Sequence, residues 1–185
     1  MPRISHTRAV FVALGGACLL VASSALAAFG HASAAKVSYE AKMTVGGTFT
    51  GDTSDLEVRE EGGKIHFVVG LKNLTAGMNL RTKHMREKYL EVEKFPSAEL
   101  VVDRAALAIP DDGKSSSGKV NGTFTLHGKS QPVSVAYTAK RAGSAYDIGG
   151  SFTLNVNNHG IEVPSYLGVT VKPDVAVSLS ARVTD

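Results

Sequence analysis

The histidines from residue 36 onward are the side chains best suited to metal binding or acid–base chemistry. They are His66, His84, His127 and His159. No two of them have the H-x-x-x-H spacing that places two metal ligands on one helix face. We therefore predict no metal site, and we assign these histidines structural roles such as hydrogen bonding to the backbone at turns.

A covalent or phosphate-binding site is not predicted either. The sequence contains no G-x-S-x-G motif, and its one cysteine, Cys18, lies in the N-terminal apolar segment. The glycine pairs Gly46–Gly47 and Gly149–Gly150 do not precede predicted helices, so neither is typical of a phosphate-binding loop. Because no nucleophile and no acid–base pair can be named, we predict that the protein is not an enzyme and needs no cofactor.

A cluster of basic side chains is the most charged feature of the sequence. It comprises Arg81, Lys83, His84, Arg86 and Lys88. One interpretation is a basic rim that receives a polar or anionic headgroup while an apolar tail enters the protein. The other is a solvated helix face whose charge is offset by neighbouring glutamates. The residues alone leave both interpretations open.

The N-terminus has the three-part pattern of a secretory signal peptide. A short basic segment up to Arg8 precedes an apolar stretch over 9–29, and A-x-A sites end at Ala27 and Ala34. We expect residues 1–27 to be the signal peptide, with cleavage as late as residue 34, and residues 36–185 to form one domain that is periplasmic or secreted. An uncleaved membrane anchor is the alternative, because the apolar stretch is long enough to span a bilayer.

Composition and charge limit the classes of partner. The 185 residues are 43% hydrophobic and 20% charged, which is typical of a globular protein. Arg3 and Arg8 lie in the leader, so 18 Lys and Arg remain against 17 Asp and Glu. A near-neutral domain does not suggest a nucleic-acid partner.

Alternation of apolar and polar residues is the dominant pattern after the leader. It predicts eight strands with one apolar face each, mostly joined by short turns, which indicates an antiparallel barrel or sandwich. Small residues among the inward positions favour a cavity over a filled core. The predicted strands lie over 36–45, 48–59, 64–71, 98–102, 120–126, 133–139, 148–156 and 175–183.

One segment has a helical pattern instead. Leu80, Met85 and Tyr89 are separated by five and four residues, which fits one face of a helix with some irregularity. Asn79 or Thr82 is the expected N-cap, and Pro96 prevents continuation of the helix. We predict one short helix at about 79–91, placed at the end of the sheet structure.

Three segments have motifs more specific than strand alternation. The first is VGGTFTG over 45–51, an early Gly-x-Phe strand. The second is TAGMNLRTKHM over 75–85, which continues to the KFP corner at Pro96. The third is the hairpin GTFTLHGKSQPV over 122–133. Together these segments resemble the YceI family of polyisoprenoid-binding proteins, whose hairpin reads G-x-L-T-x-H-G-x-x-x-P-V. The resemblance covers the whole chain from Lys36 to Val183, although the segment over 157–161 departs from the family pattern.

The resemblance implies an all-β fold, an eight-stranded antiparallel lipocalin-like barrel with one short helix and a long apolar pocket. It implies binding of an isoprenoid, a prenyl quinone or a similar amphiphile, and no catalysis. Arg81 and His84 are the basic residues that fall inside the matched helix motif. The predicted ligand-binding residues are Tyr39, Met43, Phe49, Phe67, Val69, Met78, Leu80, Arg81, His84, Leu100, Phe124, Tyr137, Phe152 and Leu179.

Two functional hypotheses follow. In the first, the protein carries or sequesters a long apolar amphiphile, such as a polyisoprenoid, a prenyl quinone or a fatty-acyl lipid. In the second, the barrel has a filled core and docks a protein partner through the 79–95 surface. Transient contact with a membrane and formation of a homodimer are both open at this point.

Overall fold

The computed structural model describes residues 32–166 and 168–184, which form an antiparallel sheet and a short helical segment. The helical segment comprises the α-helix α1 (Asn79–His84) and a π-helix (Met85–Tyr89), and short 3-10 turns occur at Arg104–Ala106 and Val156–His159. The strands are β1 (Ser33–Met43), β2 (Thr48–Thr53), β3 (Leu56–Glu61), β4 (Lys64–Gly70), β5 (Ser97–Asp103), β6 (Ser115–Leu126), β7 (Lys129–Ala142), β8 (Ala145–Asn155), β9 (Ser165–Tyr166) and β10 (Val169–Thr184).

The strands form because each carries apolar residues at every second position, so that one face is apolar. In β10 the side chains of Ala176, Ser178 and Ser180 are exposed, while Ala181 and Val183 are buried. The predicted all-β, lipocalin-like antiparallel fold with one short helix is confirmed.

The sheet curls into a half-barrel because its two edge strands are neighbours in the chain. The strand order is β2-β1-β10-β8-β7-β6-β5-β4-β3, with β9 paired to β10, and every pairing is antiparallel. Only Ser54 and Asp55 separate β2 from β3. The two edges of the sheet, β2 and β3, are therefore held close together, and the curled sheet surrounds the interior.

The predicted count of eight strands is too low for the part of the chain that the structure describes. The strand predicted over 48–59 is interrupted at Asp55, whose backbone N–H donates to Thr53 Oγ1 at 3.1 Å. The Asp55 carboxylate lies over Gly70, where an added Cβ would be 2.1 Å from Oδ2. The Gly70 N–H also donates to Asp55 O at 2.9 Å, and at this point the chain leaves β2, which pairs with β1, and enters β3, which pairs with β4. The additional short strand β9 lies between the strands predicted over 148–156 and 175–183.

The helical segment begins where the sequence predicts and changes type at Met85. The N–H of Leu90 donates to Met85 O at 2.8 Å, an i to i+5 bond typical of a π-helix. The predicted side-chain cap is wrong, because the N-cap residue is Met78, which makes no capping bond. Thr82 Oγ1 instead accepts the Ala76 N–H at 2.9 Å, which ties the helix to the loop before it.

The predicted signal peptide over 1–27 lies outside the described residues. Within the described ranges, no helix combines the length and apolar character needed to cross a membrane.

Candidate ligand-binding cavity

A cavity of about 700 Å³ opens at one end of the half-barrel, which we call the wide end. Apolar side chains from most of the strands and from the helical segment surround it. They include Phe67 and Val69 of β4, Phe152 of β8 and Val177 of β10. A volume of this size falls in the range of small-molecule sites.

The opposite end, which we call the narrow end, is packed. Val58, Ile65, Val102 and Val183 are each at most 4% exposed there. The cavity left between their neighbours has a volume of only about 80 Å³. The half-barrel therefore has one filled end and one open end.

Strand β10 shows the transition between the two ends within a single element. Its inward residues Val175, Val177 and Leu179 are only partly buried, whereas Ala181 and Val183 are fully buried. All five side chains point to the same face because they alternate along the strand. The partial exposure of the first three is therefore exposure to the cavity, not to the outer surface.

Two segments cover the wide end. The helical segment contributes Met85 and Tyr89, which line the cavity together with the buried Leu90. From the other side, Ile161 and Pro164 of the connection after β8 also line it. These segments enclose the apolar interior while Met78 and Leu80, 61% and 64% exposed, mark the opening.

A cluster of Tyr39, Phe49, Arg81 and Met85 lies at the opening. The Arg81 guanidinium lies 4.6 Å from the centre of the Phe49 ring, and the Tyr39 ring meets Phe49 edge-on at 6.3 Å. Tyr39 Oη donates to Met85 Sδ at 3.1 Å. Burial raises the pKa of Tyr39 to about 12, an effect that the nearby Arg81 charge partly opposes.

Gly51 allows this cluster to form. A Cβ added at Gly51 would lie 1.8 Å from the Thr75 carbonyl oxygen and 2.5 Å from Tyr39 Cε1. No side chain fits at such distances, so the loop before the helix and the Tyr39 ring can both approach β2 only because residue 51 is glycine.

The basic cluster predicted from the sequence divides between two surfaces. Arg81, His84 and Lys88 line the cavity. Lys83 is exposed outside it, and Arg86 Nε donates to Leu74 O at 2.9 Å. Part of the cluster therefore faces the interior, as the headgroup interpretation requires, and part holds or solvates the helix.

A protein-family model described as "YceI-like domain" matches residues 23–183. The chain belongs to the YceI-like family. Its curated relatives include a UPF0312 protein of Pseudomonas savastanoi pv. phaseolicola, 30% identical over 137 residues, which are 70% of this chain and 67% of the relative. A UPF0312 protein of Pseudomonas putida is 28% identical over 152 residues, or 77% of each chain.

Solved structures share the fold of this YceI-like protein. A polyisoprenoid-binding domain from Saccharophagus degradans, implicated in plant cell wall breakdown, aligns with a TM-score of 0.71 at 16% identity, covering 85% of this chain and 98% of that domain. Burkholderia cenocepacia BcnA aligns with a TM-score of 0.62 at 16% identity, covering 80% of this chain and 95% of BcnA.

The structure places almost all of the predicted ligand-binding residues around the wide cavity of this YceI-like protein. The exception is Tyr137, which lines the small cavity at the narrow end and accepts the Ala108 N–H at 2.9 Å through its Oη. The residues at the wide cavity are Tyr39, Met43, Phe49, Phe67, Val69, Met78, Leu80, Arg81, His84, Leu100, Phe124, Phe152 and Leu179.

Sequence reasoning missed several lining residues. Met85 and Tyr89 lie on the predicted helical face, and Val175 and Val177 lie on the apolar face of the predicted closing strand. These patterns could therefore have placed all four residues among the predicted lining residues. The lining segment 161–165 gave no such signal, because it has neither helical nor strand periodicity. Only its packing against the sheet brings it to the cavity.

Two histidines of the described chain, His127 and His159, make both hydrogen bonds and packing contacts. His127 Nε2 donates to Glu91 Oε2 at 2.9 Å, and its ring packs on Phe95 at 4.4 Å. Hydrogen bonds from Lys94 and then His127 hold the pKa of Glu91 below its usual value. His159, 1% exposed, donates from Nδ1 to Lys129 O at 2.9 Å.

The remaining histidines make few such contacts or none. His66 Nδ1 donates to Glu99 Oε1 at 2.9 Å, and His84 lines the cavity. The described residues include no group of three or more His, Cys, Asp and Glu positioned to hold a metal ion.

Proposed function

We propose that this YceI-like protein binds a long apolar amphiphile, such as a polyisoprenoid, a prenyl quinone or a fatty-acyl lipid, in the wide cavity. The observation that carries the proposal is the cavity of about 700 Å³ lined almost wholly by apolar side chains. In this role the protein sequesters or transports its ligand and performs no chemical step on it.

The physical basis of binding is removal of apolar surface from water. Burial of roughly 400 Å² of ligand surface contributes about 10 kcal/mol before the entropic cost of association. A tail held in this way needs few polar contacts, which fits the composition of the walls. The shared fold of the Saccharophagus degradans polyisoprenoid-binding domain supports the same class of ligand.

The cavity argues against the alternative of a filled-core barrel that docks a protein partner through the 79–95 surface. That alternative needs the interior to be packed as tightly as the narrow end. Instead, Val175 and Val177 of β10 face open space. The apolar side chains of the 79–95 segment line the cavity, so a protein partner is not needed to explain them.

The N-terminal leader supports a carrier that works outside the cytoplasm, in the periplasm, after removal of the leader. Fractionation of cells with N-terminal sequencing of the purified protein tests this assignment. A chain that begins at Met1 and remains in the cytoplasm would contradict it.

A carrier for such ligands must collect and release them at membranes, so transient membrane contact belongs to the proposal. Met78 and Leu80 are exposed beside the opening and can insert into the lipid surface. Flotation of the protein with lipid vesicles should be weakened in the Met78→Ser, Leu80→Ser double variant. Equal flotation of the variant and the parent would contradict this part of the proposal.

The central experiment is native mass spectrometry of protein purified without detergent, followed by organic extraction of bound molecules. We expect a discrete added mass that extracts as a prenyl or acyl lipid. A bare protein that stays bare after exposure to isoprenoid and fatty-acyl mixtures would overturn the proposal. The same spectra report whether the protein is a monomer or a homodimer.

Neighbouring residues of β10 provide a matched pair of variants. Val177→Phe places a ring in the wide cavity, whereas Ala176→Phe places the same ring on the exposed outer face. We expect lipid uptake to fall several-fold in the first variant and to be unchanged in the second. Equal uptake by both variants would show that the lipid binds elsewhere.

A further inference from the structure

Arg81 carries a charge with no carboxylate partner among the described residues. Its Nη1 donates to Ala76 O at 3.2 Å, and its guanidinium lies over the face of Phe49. These two contacts hold the planar group in place but use only part of its five N–H donors. The remaining donors are available at the cavity opening.

Tyr39 is also incompletely satisfied. Its hydroxyl donates to the thioether of Met85, which is a weak acceptor. The hydroxyl keeps its proton at neutral pH, since the ordinary pKa of a tyrosine is 10.0 and burial raises that of Tyr39 to about 12. The hydroxyl can therefore donate its hydrogen bond to a better acceptor, such as an anionic oxygen, instead of to the Met85 sulfur.

The two donors belong to one cluster. Both Tyr39 and Arg81 contact Phe49, from its edge and from its face. Tyr39 lies near enough to Arg81 for the guanidinium charge to lower the pKa of its hydroxyl. Gly51 allows Tyr39 and the loop before α1 to approach β2 together.

The other ionisable side chains of the lining are basic, with one exception. His84 and Lys88 line the cavity beside Arg81, and Glu162, which is exposed, lines it from the connection after β8. The interior behind these groups is apolar. The cavity therefore combines an apolar compartment with a donor-rich, mainly basic opening.

From this geometry we propose that the bound amphiphile ends in an anionic oxygen group, a carboxylate or a phosphate, which is held by Arg81 and Tyr39 at the opening. The inference rests on the proposed function and adds the chemical class of the headgroup. The apolar chain fills the wide cavity, while the head accepts hydrogen bonds from the guanidinium and the phenol. An anionic head accepts stronger hydrogen bonds from Arg81 than a neutral carbonyl or hydroxyl does, because charge assistance strengthens a hydrogen bond.

Pairs of ligands with the same chain test the headgroup directly. The probes are geranylgeranyl monophosphate against geranylgeraniol, and palmitate against hexadecanol, each displacing the neutral fluorophore N-phenyl-1-naphthylamine from the protein. We expect at least one anion to bind about tenfold or more tightly than its alcohol. Comparison of the two pairs shows whether the head is a phosphate or a carboxylate.

Variants assign the preference to named side chains. Arg81→Gln should reduce the ratio of anion affinity to alcohol affinity to about twofold or less, and circular dichroism checks that the variant is folded. Arg81→Lys should keep part of the preference, and Tyr39→Phe should weaken anion binding more than alcohol binding. Lys83→Gln removes a charge from the same helix outside the cavity and is the matched control.

The outcomes separate this inference from the function on which it rests. If the anions and their alcohols bind equally well, the headgroup site is wrong and the carrier function stands. If none of the probes binds, the carrier function itself is wrong. If Lys83→Gln removes as much preference as Arg81→Gln, the preference reflects the general positive charge of the helix, and the site at Arg81 and Tyr39 is rejected.

Discussion

The narrow and wide ends of the half-barrel share strands β4, β5, β6, β8 and β10 and the same alternating pattern, yet one end is filled and the other is open. On β4, Ile65 is buried at the narrow end, while Val69, four residues later on the same face, borders the wide cavity. Alternation therefore determines which side chains point inward. It does not determine whether the interior is filled.

The difference follows from what closes each end. The narrow end is filled by branched side chains such as Val58, Val120 and Val135, which are buried and line the small cavity there. The wide end is covered by the helical segment and the connection after β8, which line the cavity and contribute the buried residues Leu90 and Ile161. The cavity is the space that this cover encloses.

The largest expected effect comes from side-chain truncation in β4, at one residue near each end of the strand. Ile65→Ala should lower the free energy of unfolding by about 2–5 kcal/mol, because it leaves a hole in packed surroundings. Val69→Ala should cost about 1 kcal/mol, because its side chain already borders open space. Chemical denaturation measures both, and equal losses would show that the two ends are packed alike.

At the wide end, Gly51→Ala should cost about 1–3 kcal/mol, because the new methyl group meets the Thr75 carbonyl and the Tyr39 ring. Lipid uptake should fall as well, since the loop and Tyr39 must move apart. Gly62→Ala is a useful comparison. Gly62 lies in the β3–β4 turn, and no atom lies within 4 Å of the position that an added Cβ would take. Any loss of stability in Gly62→Ala therefore reflects only the positive φ of 58°. Normal lipid uptake by Gly51→Ala would contradict the role given to this glycine.

A smaller effect is expected at Glu60, which follows Val58 on the inward face of β3. Its side chain is 4% exposed and its Oε2 accepts from Arg104 Nε at 3.0 Å, while Oε1 is buried and has no hydrogen-bond partner among the described residues. Arg104→Ala should lower the free energy of unfolding by about 1 kcal/mol, because it removes the ion-pair partner of Glu60. The loss is no larger because Arg104 is itself partly exposed. The Glu60→Met, Arg104→Met double variant should be at least as stable as the parent, since apolar groups of similar size replace an incompletely satisfied pair. A double variant less stable than Arg104→Ala would show that the pair itself stabilises the edge strand.

The smallest effect concerns pH at the cavity opening. The pKa of Tyr39 is about 12 in the folded protein against an ordinary value of 10.0. The contribution of Tyr39 to stability is therefore complete below about pH 10 and is lost as the pH rises towards 12. Phenolate absorbance during alkaline titration should show a late-titrating group that is absent in Tyr39→Phe and titrates later still in Arg81→Gln. A titration curve of Tyr39→Phe that matches the parent would contradict the buried position of this hydroxyl.

Much of the fold could be predicted because its causes are local. The alternation of β10 and the helical pattern from Leu80 to Tyr89 are visible in neighbouring residues. The break at Asp55 was missed because it depends on Gly70, which is distant in sequence and provides room for the carboxylate. The change to a π-helix at Met85 was visible only as an irregular spacing.

The candidate site was predictable to the extent that it lies on regular elements. Phe67, Phe124 and Phe152 followed from strand alternation, and Arg81 from the helix motif. Tyr137 was assigned to the same site because alternation gives the face of a residue but not its height along the barrel axis. The 161–165 segment was missed because irregular chain carries no period from which its packing can be inferred.

The sequence by itself determined the antiparallel sheet, its apolar face and the place of the helix, because propensity and periodicity act over a few residues. Only the tertiary structure decided that the wide end is open and that Arg81, Phe49 and Tyr39 form one cluster. Those features depend on how far the cover stands from the sheet and on the close approach permitted by Gly51, which are distances between residues far apart in the chain.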